Sequence, residues 1–266
     1  MTSPIRLDDR AVLTALGPDA VGFLQGLLTN DVASAQEGEA RFAALLTPQG
    51  KILADMIAVR RIDGFWLDVP KALAADLAKR LGFYKLRAKV AIADVSDSFA
   101  VTALGAPLHA AAVYADPRAA ALGERAIVAR ADAAGLPSER ADYDSLRIAS
   151  GVPEGGVDFT YGESFPHDVN MDLFHGVDFA KGCYVGQEIV ARMQHKGGVR
   201  KRVVRLRFDG ETPAPGAPVM DGDIALGALG GAGGGVALAV LRIDRLEDAK
   251  SAGRALSAAG IPTRPA

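Results

Sequence analysis

The pattern of hydrophobic positions predicts short strands mixed with helices along the first part of the chain. Strands are predicted over the apolar runs at residues 11–16, 42–46, 52–59, 65–69, 90–93, 99–104 and 126–129. The second and third runs flank Pro48 and Gly50, an arrangement typical of a β-hairpin. A helix is predicted from Pro70 to about Leu81, because leucines recur there at spacings of four. This order of elements indicates an α+β architecture.

The hydrophobic pattern changes near residue 200, after which short apolar runs are separated by prolines and glycines. This texture is typical of a small all-β unit. We therefore predict one region at 1–200 and a C-terminal β-barrel at 201–266. Within it, Ile224–Leu241 has the length of a membrane span, but its many glycines and alanines make it too weakly hydrophobic to insert. Two short strands around a glycine-rich turn are predicted there instead.

The composition is that of an ordinary globular protein. The 266 residues include 30 basic and 32 acidic side chains, a formal net charge of −2, and 49% of the residues are hydrophobic. These values exclude a strongly basic nucleic-acid tail and large-scale disorder. A single cysteine excludes an intramolecular disulfide and any cysteine-based metal site built from this chain alone. Because Asp8 and Asp9 also argue against a targeting signal, a reducing cytoplasm is the expected location.

The densest cluster of reactive and hydrogen-bonding residues is the octapeptide from Lys181 to Glu188, Lys-Gly-Cys-Tyr-Val-Gly-Gln-Glu. Apolar residues with helical spacing follow it, so Cys183 is predicted to lie just before a helix. A helix N-terminus and the charge of Lys181 would both lower the pKa of the thiol. Cys183 and Lys181 are therefore the candidate catalytic residues. The alternative is that Cys183 is a small buried hydrophobe.

The other polar and glycine residues of the octapeptide suit contact with a ligand. Gly182 and Gly186 allow positive φ or the close approach of another group, and Gln187 and Glu188 offer hydrogen bonds to the edge of a heteroaromatic ring. The alternative is a plain loop followed by ordinary first-turn helix residues.

A basic strip without acidic residues lies between Ile189 and Phe208. It consists of Arg192, Lys196, Arg200, Lys201, Arg202, Arg205 and Arg207. Such a strip suits phosphates, an RNA backbone or a polycarboxylate. Because no aromatic residue interrupts it before Phe208, a small anionic ligand is favoured over RNA, and a merely solvated face is the third alternative. The four histidines lack metal-ligand spacing, so no metal site is expected.

The octapeptide, with Gly182, Tyr184, Gly186, Gln187 and Glu188, resembles the signature of the YgfZ family, folate-binding relatives of the glycine cleavage T-protein. Further matches in order and spacing are Phe23-Leu24-Gln25-Gly26, Thr29-Asn30-Asp31, Gly50-Lys51, Tyr84-Lys85-Leu86-Arg87, Pro166 with Asn170, and Gly198 with Lys201-Arg202. The resemblance therefore covers most of the chain.

The resemblance implies a T-protein-like α+β fold with two α/β-type subdomains around a central cavity for tetrahydrofolate, and a small C-terminal β-barrel. It also implies that Asp55 meets the pterin. Glu188, by its hydrogen-bonding carboxylate, and Arg192 and Arg202, by their charge toward the carboxylates of folate, are the further candidate cofactor-binding residues. The T-protein hairpin carries two acidic residues, and Ala54 stands here in place of the first. This departure argues against aminomethyl transfer.

Three functions remain open. The leading one is a tetrahydrofolate-binding accessory factor for iron-sulfur cluster assembly or repair, with client iron-sulfur proteins or cluster carriers as partners. The second is a folate-dependent one-carbon (aminomethyl) transferase with Asp55 as its acid or base. The third is an RNA-binding protein related to tRNA modification, acting through residues 192–207. No membrane partner is expected.

Overall fold

The computed structural model describes residues 3–195 and 197–266. These residues form two compact units. The first unit contains the described residues up to Arg140 together with Asp172–Gln187, and the second contains Ala141–Met171 and the described part of Glu188–Ala266. A domain boundary near residue 200 remains a prediction, and the first strand of the C-terminal region begins at Lys201.

The first unit contains two antiparallel sheets. Its strands are β1 (Ile5–Arg6), β2 (Arg10–Leu16), β3 (Ala40–Leu46), β4 (Ile52–Arg61), β5 (Gly64–Pro70), β6 (Ala91–Asp94), β7 (Phe99–Ala103), β8 (Ala110–Ala115) and β9 (Glu124–Ala129). One sheet has the order β3-β4-β5-β2-β6, and the other has the order β1-β7-β9-β8. The helices are α1 (Ala20–Gln25), α2 (Ala74–Lys85) and α3 (Arg130–Ala133).

The hydrophobic core of the first unit lies between α1, α2 and one face of the five-stranded sheet. Successive side chains of a strand point to opposite faces, so Ala54 and Met56 of β4 enter this core while Asp55 does not. Leu24 of α1 and Leu77 of α2 pack against the same face. The leucines whose spacing predicts α2 therefore lie on the buried side of this helix.

The opposite face of the five-stranded sheet carries a buried network of charged side chains. Asp68 on β5 accepts hydrogen bonds from Arg10 Nε at 2.6 Å, from the Tyr114 hydroxyl at 3.1 Å and from Arg125. Arg125 also donates to Asp116, at 2.9 Å. Because Tyr114 and Arg125 belong to β8 and β9 of the other sheet, these ion pairs hold the two sheets together.

The second unit is built around a closed six-stranded barrel with the order β10-β13-β12-β11-β14-β15. Its strands are β10 (Lys201–Phe208), β11 (Pro218–Asp221), β12 (Ile224–Gly233), β13 (Val236–Arg242), β14 (Leu256–Ala258) and β15 (Ile261–Pro265). Its helices are α4 (Ala141–Ala149) and α6 (Ile243–Ser251), together with α5 (Gln187–His195), whose first residue belongs to the first unit.

The glycines of the predicted glycine-rich turn have two different roles. Only Gly234 and Gly235, with φ of 60° and 76°, lie in the turn between β12 and β13. Gly230 and Gly231 lie within β12, where a Cβ on Gly230 would come 2.4 Å from Asp158 Oδ1. The Gly231 N–H donates to that same oxygen, at 2.6 Å. These glycines therefore make room for a buried carboxylate.

The predicted strands are all present, with ends shifted by at most two residues. The helix α2 begins at Ala74, later than Pro70, because a short 3-10 helix over Lys71–Leu73 precedes it. The pattern missed β8, which is mostly alanine, and α6, which interrupts the barrel strands. Among the residues that the structure describes, no helix is long and apolar enough to cross a membrane.

Candidate functional site

Lys181, the first residue of the octapeptide, is buried and anchors the loop that carries Cys183. Its Nζ donates hydrogen bonds to three backbone carbonyls, those of Gln25 at 2.7 Å, Leu28 at 2.6 Å and Asn30 at 2.8 Å. These carbonyls belong to the end of α1 and the turn after it, where a helix leaves its last carbonyls without partners. Burial lowers the pKa of Lys181 to about 8, against the opposing charges of Asp31 and Asp178.

Thr29 and Asn30 form a second anchor, between the edge of β3 and the segment that leads to the octapeptide. The Thr29 hydroxyl donates to the Gly176 carbonyl at 2.6 Å and accepts the Ala44 N–H at 2.9 Å. The Asn30 amide donates to the carbonyls of Phe42 and His175, both at 2.7 Å. Each of these side chains therefore bridges β3 to residues 175–176.

Tyr184 and Gly186 fix the other side of the loop. The Tyr184 ring is buried, with Lys181 Nζ 5.3 Å from its centroid, and burial raises the pKa of its hydroxyl to about 12. Gly186 has φ of 82°, and a Cβ there would lie 2.5 Å from the Thr47 carbonyl oxygen and 3.1 Å from Gly50 Cα. The octapeptide thus packs directly on the hairpin turn between β3 and β4.

Cys183 is exposed to solvent between these anchors. The alternative in which it is a buried packing residue is therefore wrong. The helix α5 begins at Gln187, so Cys183 lies further from the helix N-terminus than predicted, and the effect of a helix dipole falls off within the first turn. The hydrogen bonds of the Lys181 ammonium go to backbone carbonyls of residues 25–30. A catalytic role for Lys181 remains a prediction.

A cavity of about 480 Å³ lies within the first unit beside the second anchor. Its lining includes Asn30, Arg41, Phe42, His175, Asp178 and Phe179. Residues with aromatic rings, one arginine and one aspartate therefore line a single small volume. The pattern of the sequence did not indicate this cavity, because its lining comes from segments separated by more than a hundred positions in the chain.

Two family models match separate regions of the chain. Residues 11–116 match the GCVT N-terminal domain, and residues 200–266 match the CAF17 C-terminal beta-barrel domain. The structure is similar to the glycine cleavage system aminomethyltransferase T from Bartonella henselae, with a TM-score of 0.77 over 98% of this chain and 83% of that chain, at 20% identity. The predicted T-protein-like α+β fold with a C-terminal barrel is confirmed.

Similarity to curated relatives over most of the chain decides the family. The iron-sulfur cluster assembly factor IBA57, mitochondrial, of Homo sapiens is 32% identical over 91% of this chain and 78% of that protein. The chain belongs to the IBA57 family. The Mus musculus protein of the same name shows the same identity and coverage. A homologue from Mycosarcoma maydis is 35% identical over 83% of this chain, which spans 60% of that longer protein.

Membership of the IBA57 family refines one expectation and corrects another. The T-protein superfamily inferred from the octapeptide is confirmed, whereas the YgfZ family itself is not. The expected cytoplasmic location is contradicted, because the relatives from human, mouse and Mycosarcoma maydis are all named mitochondrial. One unpaired cysteine indicates a reducing environment but does not distinguish one reducing compartment from another.

Asp55, a predicted pterin contact of this IBA57-family chain, is buried on β4 beside the charge network. Burial tends to lower the pKa of Arg10, but the negative charges of Asp68 and Asp55 hold it above its ordinary value. Ala54, which replaces the first acid of the T-protein pair, packs in the apolar core on the other face of the sheet. The one retained acid therefore lies on the charged face.

The other predicted cofactor-binding residues lie in the second unit. Glu188 and Arg192 are both exposed on α5 and pair with each other, Arg192 Nη2 to Glu188 Oε1 at 3.0 Å. Arg202 is half-buried and donates to the His167 carbonyl at 3.2 Å. The structure therefore gives Arg202 a different environment from the exposed pair on α5.

The basic strip is not a single face of the second unit. On β10 the side chains of Lys201, Arg205 and Arg207 are exposed, whereas Arg202 has the opposite orientation and is half-buried. Lys196 lies outside the described residues. Among the residues that are described, no group of three or more histidine, cysteine or acidic side chains is arranged to hold a metal ion.

Proposed function

We propose that this chain acts in iron-sulfur cluster assembly and that Cys183 presents its thiolate to a partner protein. The names of its relatives support the first part. The observation that carries the second part is the exposure of Cys183 on a loop anchored at both ends. A thiolate is the protein ligand of cluster iron, and clusters need several such ligands, so a single cysteine must share a cluster with ligands from the partner.

Lys181, Tyr184 and Gly186 act in this proposal as positioning residues. Three hydrogen bonds hold the lysine, the aromatic ring is buried beside it, and the glycine lies against the hairpin turn. The residues that flank Cys183 therefore have little freedom, while the thiol itself is open to solvent. A pre-positioned ligand loses less conformational entropy when the partner docks than a mobile one does.

Replacement of Cys183 by Ser tests the role of the thiol. In cells that lack the native gene, the activity of a dependent iron-sulfur enzyme should fall to about a tenth or less, because a hydroxyl is a poor iron ligand. The purified variant should keep its unfolding free energy within about 0.5 kcal/mol, because the side chain is exposed. Wild-type enzyme activity with the Ser variant would contradict the role of Cys183.

We also propose that reduced folate binds this chain, as the T-protein-like fold and the resemblance of the octapeptide suggest. Asp55, Glu188, Arg192 and Arg202 are the proposed contacts. The cavity beside Asn30 is an alternative location, because its aromatic, cationic and carboxylate lining also suits a heteroaromatic acid. Substitution of one residue at each location distinguishes these two possible folate sites.

Saturating tetrahydrofolate should stabilise the protein against unfolding by about 2.7 kcal/mol when its free concentration is about 100 times the dissociation constant. Glu188→Gln should weaken this binding if the octapeptide contacts the pterin, whereas Phe179→Ser should weaken it if the ligand occupies the cavity. Glu247→Gln, an exposed substitution on α6, is the matched control. Absence of any shift with reduced folates would overturn folate binding without affecting the proposed role of Cys183.

The one-carbon transferase remains the second candidate, because Asp55 is retained and lies on the charged face of the sheet. Ala54 replaces the first acid of the T-protein pair and packs in the apolar core, so the pair of carboxylates is absent here. The exposed position of Cys183 has no use in that reaction. Both observations support the assembly role over transfer.

A further inference from the structure

Four exposed hydrophobic side chains lie at one end of the first unit. Ile62 is 83% exposed in the turn between β4 and β5, and Leu86 is 89% exposed directly after α2. Phe83 and Tyr84, in the last turn of α2, are 69% and 40% exposed. The surface of a soluble protein normally exposes such residues singly, and a cluster of them marks an interaction site.

The two segments are adjacent in space through the end of β2. Leu16, the last residue of β2, pairs with Gly64 on one side and with Ala91 on the other. The next residue, Gly17, donates its N–H to the Asp63 carbonyl at 2.8 Å, and a Cβ on Gly17 would lie 2.3 Å from the Lys89 carbonyl oxygen. The turn that carries Ile62 and the segment that follows Leu86 therefore lie at the same end of the five-stranded sheet. We call this surface, together with Phe83 and Tyr84, the apolar end.

Basic residues lie close to the apolar end along α2 and the segment that follows it, and Lys79 Nζ is 5.9 Å from the centroid of the Phe83 ring. They are Lys79, Arg80, Lys85, Arg87 and Lys89. The acidic residues beside them are Asp19, which accepts the Lys89 N–H at 2.7 Å, Asp63, and Asp76, which is 3.5 Å from Arg80. Positive charge is therefore in excess, although the chain as a whole carries a net charge of −2.

The backbone at Leu86 has φ of 46°, in the left-handed region that non-glycine residues seldom occupy. A strained conformation persists where it has a use or where the surroundings impose it. Here it coincides with an aliphatic side chain that is almost fully exposed to water. The strain and the exposure therefore occur at the same residue of the apolar end.

We propose that the apolar end docks on an anionic membrane surface. Ile62 and Leu86 would enter the boundary between headgroups and acyl chains, Phe83 and Tyr84 would lie at headgroup level, and the basic residues would meet lipid phosphates. Single-stranded nucleic acid fits less well, because the two most exposed side chains are aliphatic and cannot stack on bases. Peripheral docking differs from the expectation that no membrane is a partner, and it goes beyond the proposed function.

Flotation with lipid vesicles tests this proposal. The full chain should float with vesicles of phosphatidylcholine containing about 30% phosphatidylglycerol, and stay unbound with pure phosphatidylcholine, because the attraction needs anionic headgroups. Ile62→Ser together with Leu86→Ser should lower the bound fraction about fivefold or more. Arg87→Ser together with Lys89→Ser should give a similar loss, and about 0.5 M salt should release the wild-type chain.

The matched control removes exposed hydrophobic side chains elsewhere in the first unit. Leu108 is 97% exposed and Val113 is 42% exposed, and their joint replacement by Ser should leave the bound fraction within about 1.5-fold of wild type. Thermal unfolding confirms that each variant is folded. The proposal fails if the wild-type chain does not float with anionic vesicles, if the control variant loses as much binding, or if a single-stranded oligouridylate binds while vesicles do not.

Discussion

Asp68→Asn is expected to lower the free energy of unfolding by about 3–5 kcal/mol, because it removes the charge that two buried guanidinium groups share. Arg10 Nε is 2.6 Å from Asp68 Oδ1, and Arg125 donates to Oδ2 of the same carboxylate. Asparagine fills nearly the same volume, so packing is preserved. The loss therefore reports uncompensated positive charge between the two sheets rather than a cavity.

Asp76→Asn is the matched control. It breaks an ion pair of the same kind, but Asp76 and Arg80 are 3.5 Å apart on the exposed side of α2, where such pairs contribute little. We expect its effect on the free energy of unfolding, measured by urea denaturation, to be below about 0.5 kcal/mol. Equal losses for the two variants would contradict the assigned role of the buried network.

The pH dependence of the Asp68 effect has a definite sign. Burial raises the pKa of Asp68, but Arg10 and Arg125 outweigh burial and hold the pKa below its ordinary value. A carboxyl group whose pKa is lower in the folded protein contributes stability above its unfolded pKa of about 3.9, and this contribution is lost as the pH falls through the folded value. The difference between wild type and Asp68→Asn should therefore be full at pH 7 and shrink below about pH 4.

Local patterns could predict most strands and α2, because each depends on neighbouring side chains in the chain. They could not predict β8, where alanines carry little preference for a strand. Local patterns could not predict the buried charge network either. Arg10 and Asp68 are the single charged residues of two mostly apolar strands. Their burial depends on Tyr114 and Arg125 of the second sheet, which no local pattern on β2 or β5 indicates.

The position of the candidate site could be predicted from the octapeptide, but the structural roles of its residues could not. Lys181 was expected to act on Cys183, two positions away, whereas its partners are carbonyls about 150 positions earlier in the chain. The sequence indicates Thr29 and Asn30 only through the family resemblance. Their bridging hydrogen bonds follow from tertiary contacts that no local spacing contains.

Lys181→Met is expected to lower the free energy of unfolding by about 3 kcal/mol at pH 7, because it leaves three backbone carbonyls without their charged donor. Methionine preserves most of the volume of the side chain. Lys250→Met, at an exposed position on α6, is the matched control and should change the free energy by less than about 0.5 kcal/mol. A loss of that small size for Lys181→Met would show that water replaces the lysine without penalty.

The size of the Lys181 effect should increase with pH, which separates it from a simple packing defect. The pKa of Lys181 is about 8 in the folded chain, because of burial, against about 10.4 for an unfolded lysine. Between these values the unfolded chain binds more protons, so the unfolding free energy of the wild type rises with pH. The methionine of the variant does not titrate, and the buried Tyr184, with a pKa of about 12, stays neutral through this range. The difference between wild type and Lys181→Met should therefore grow from about pH 8 to about pH 10, and a constant or shrinking difference would contradict the buried ammonium.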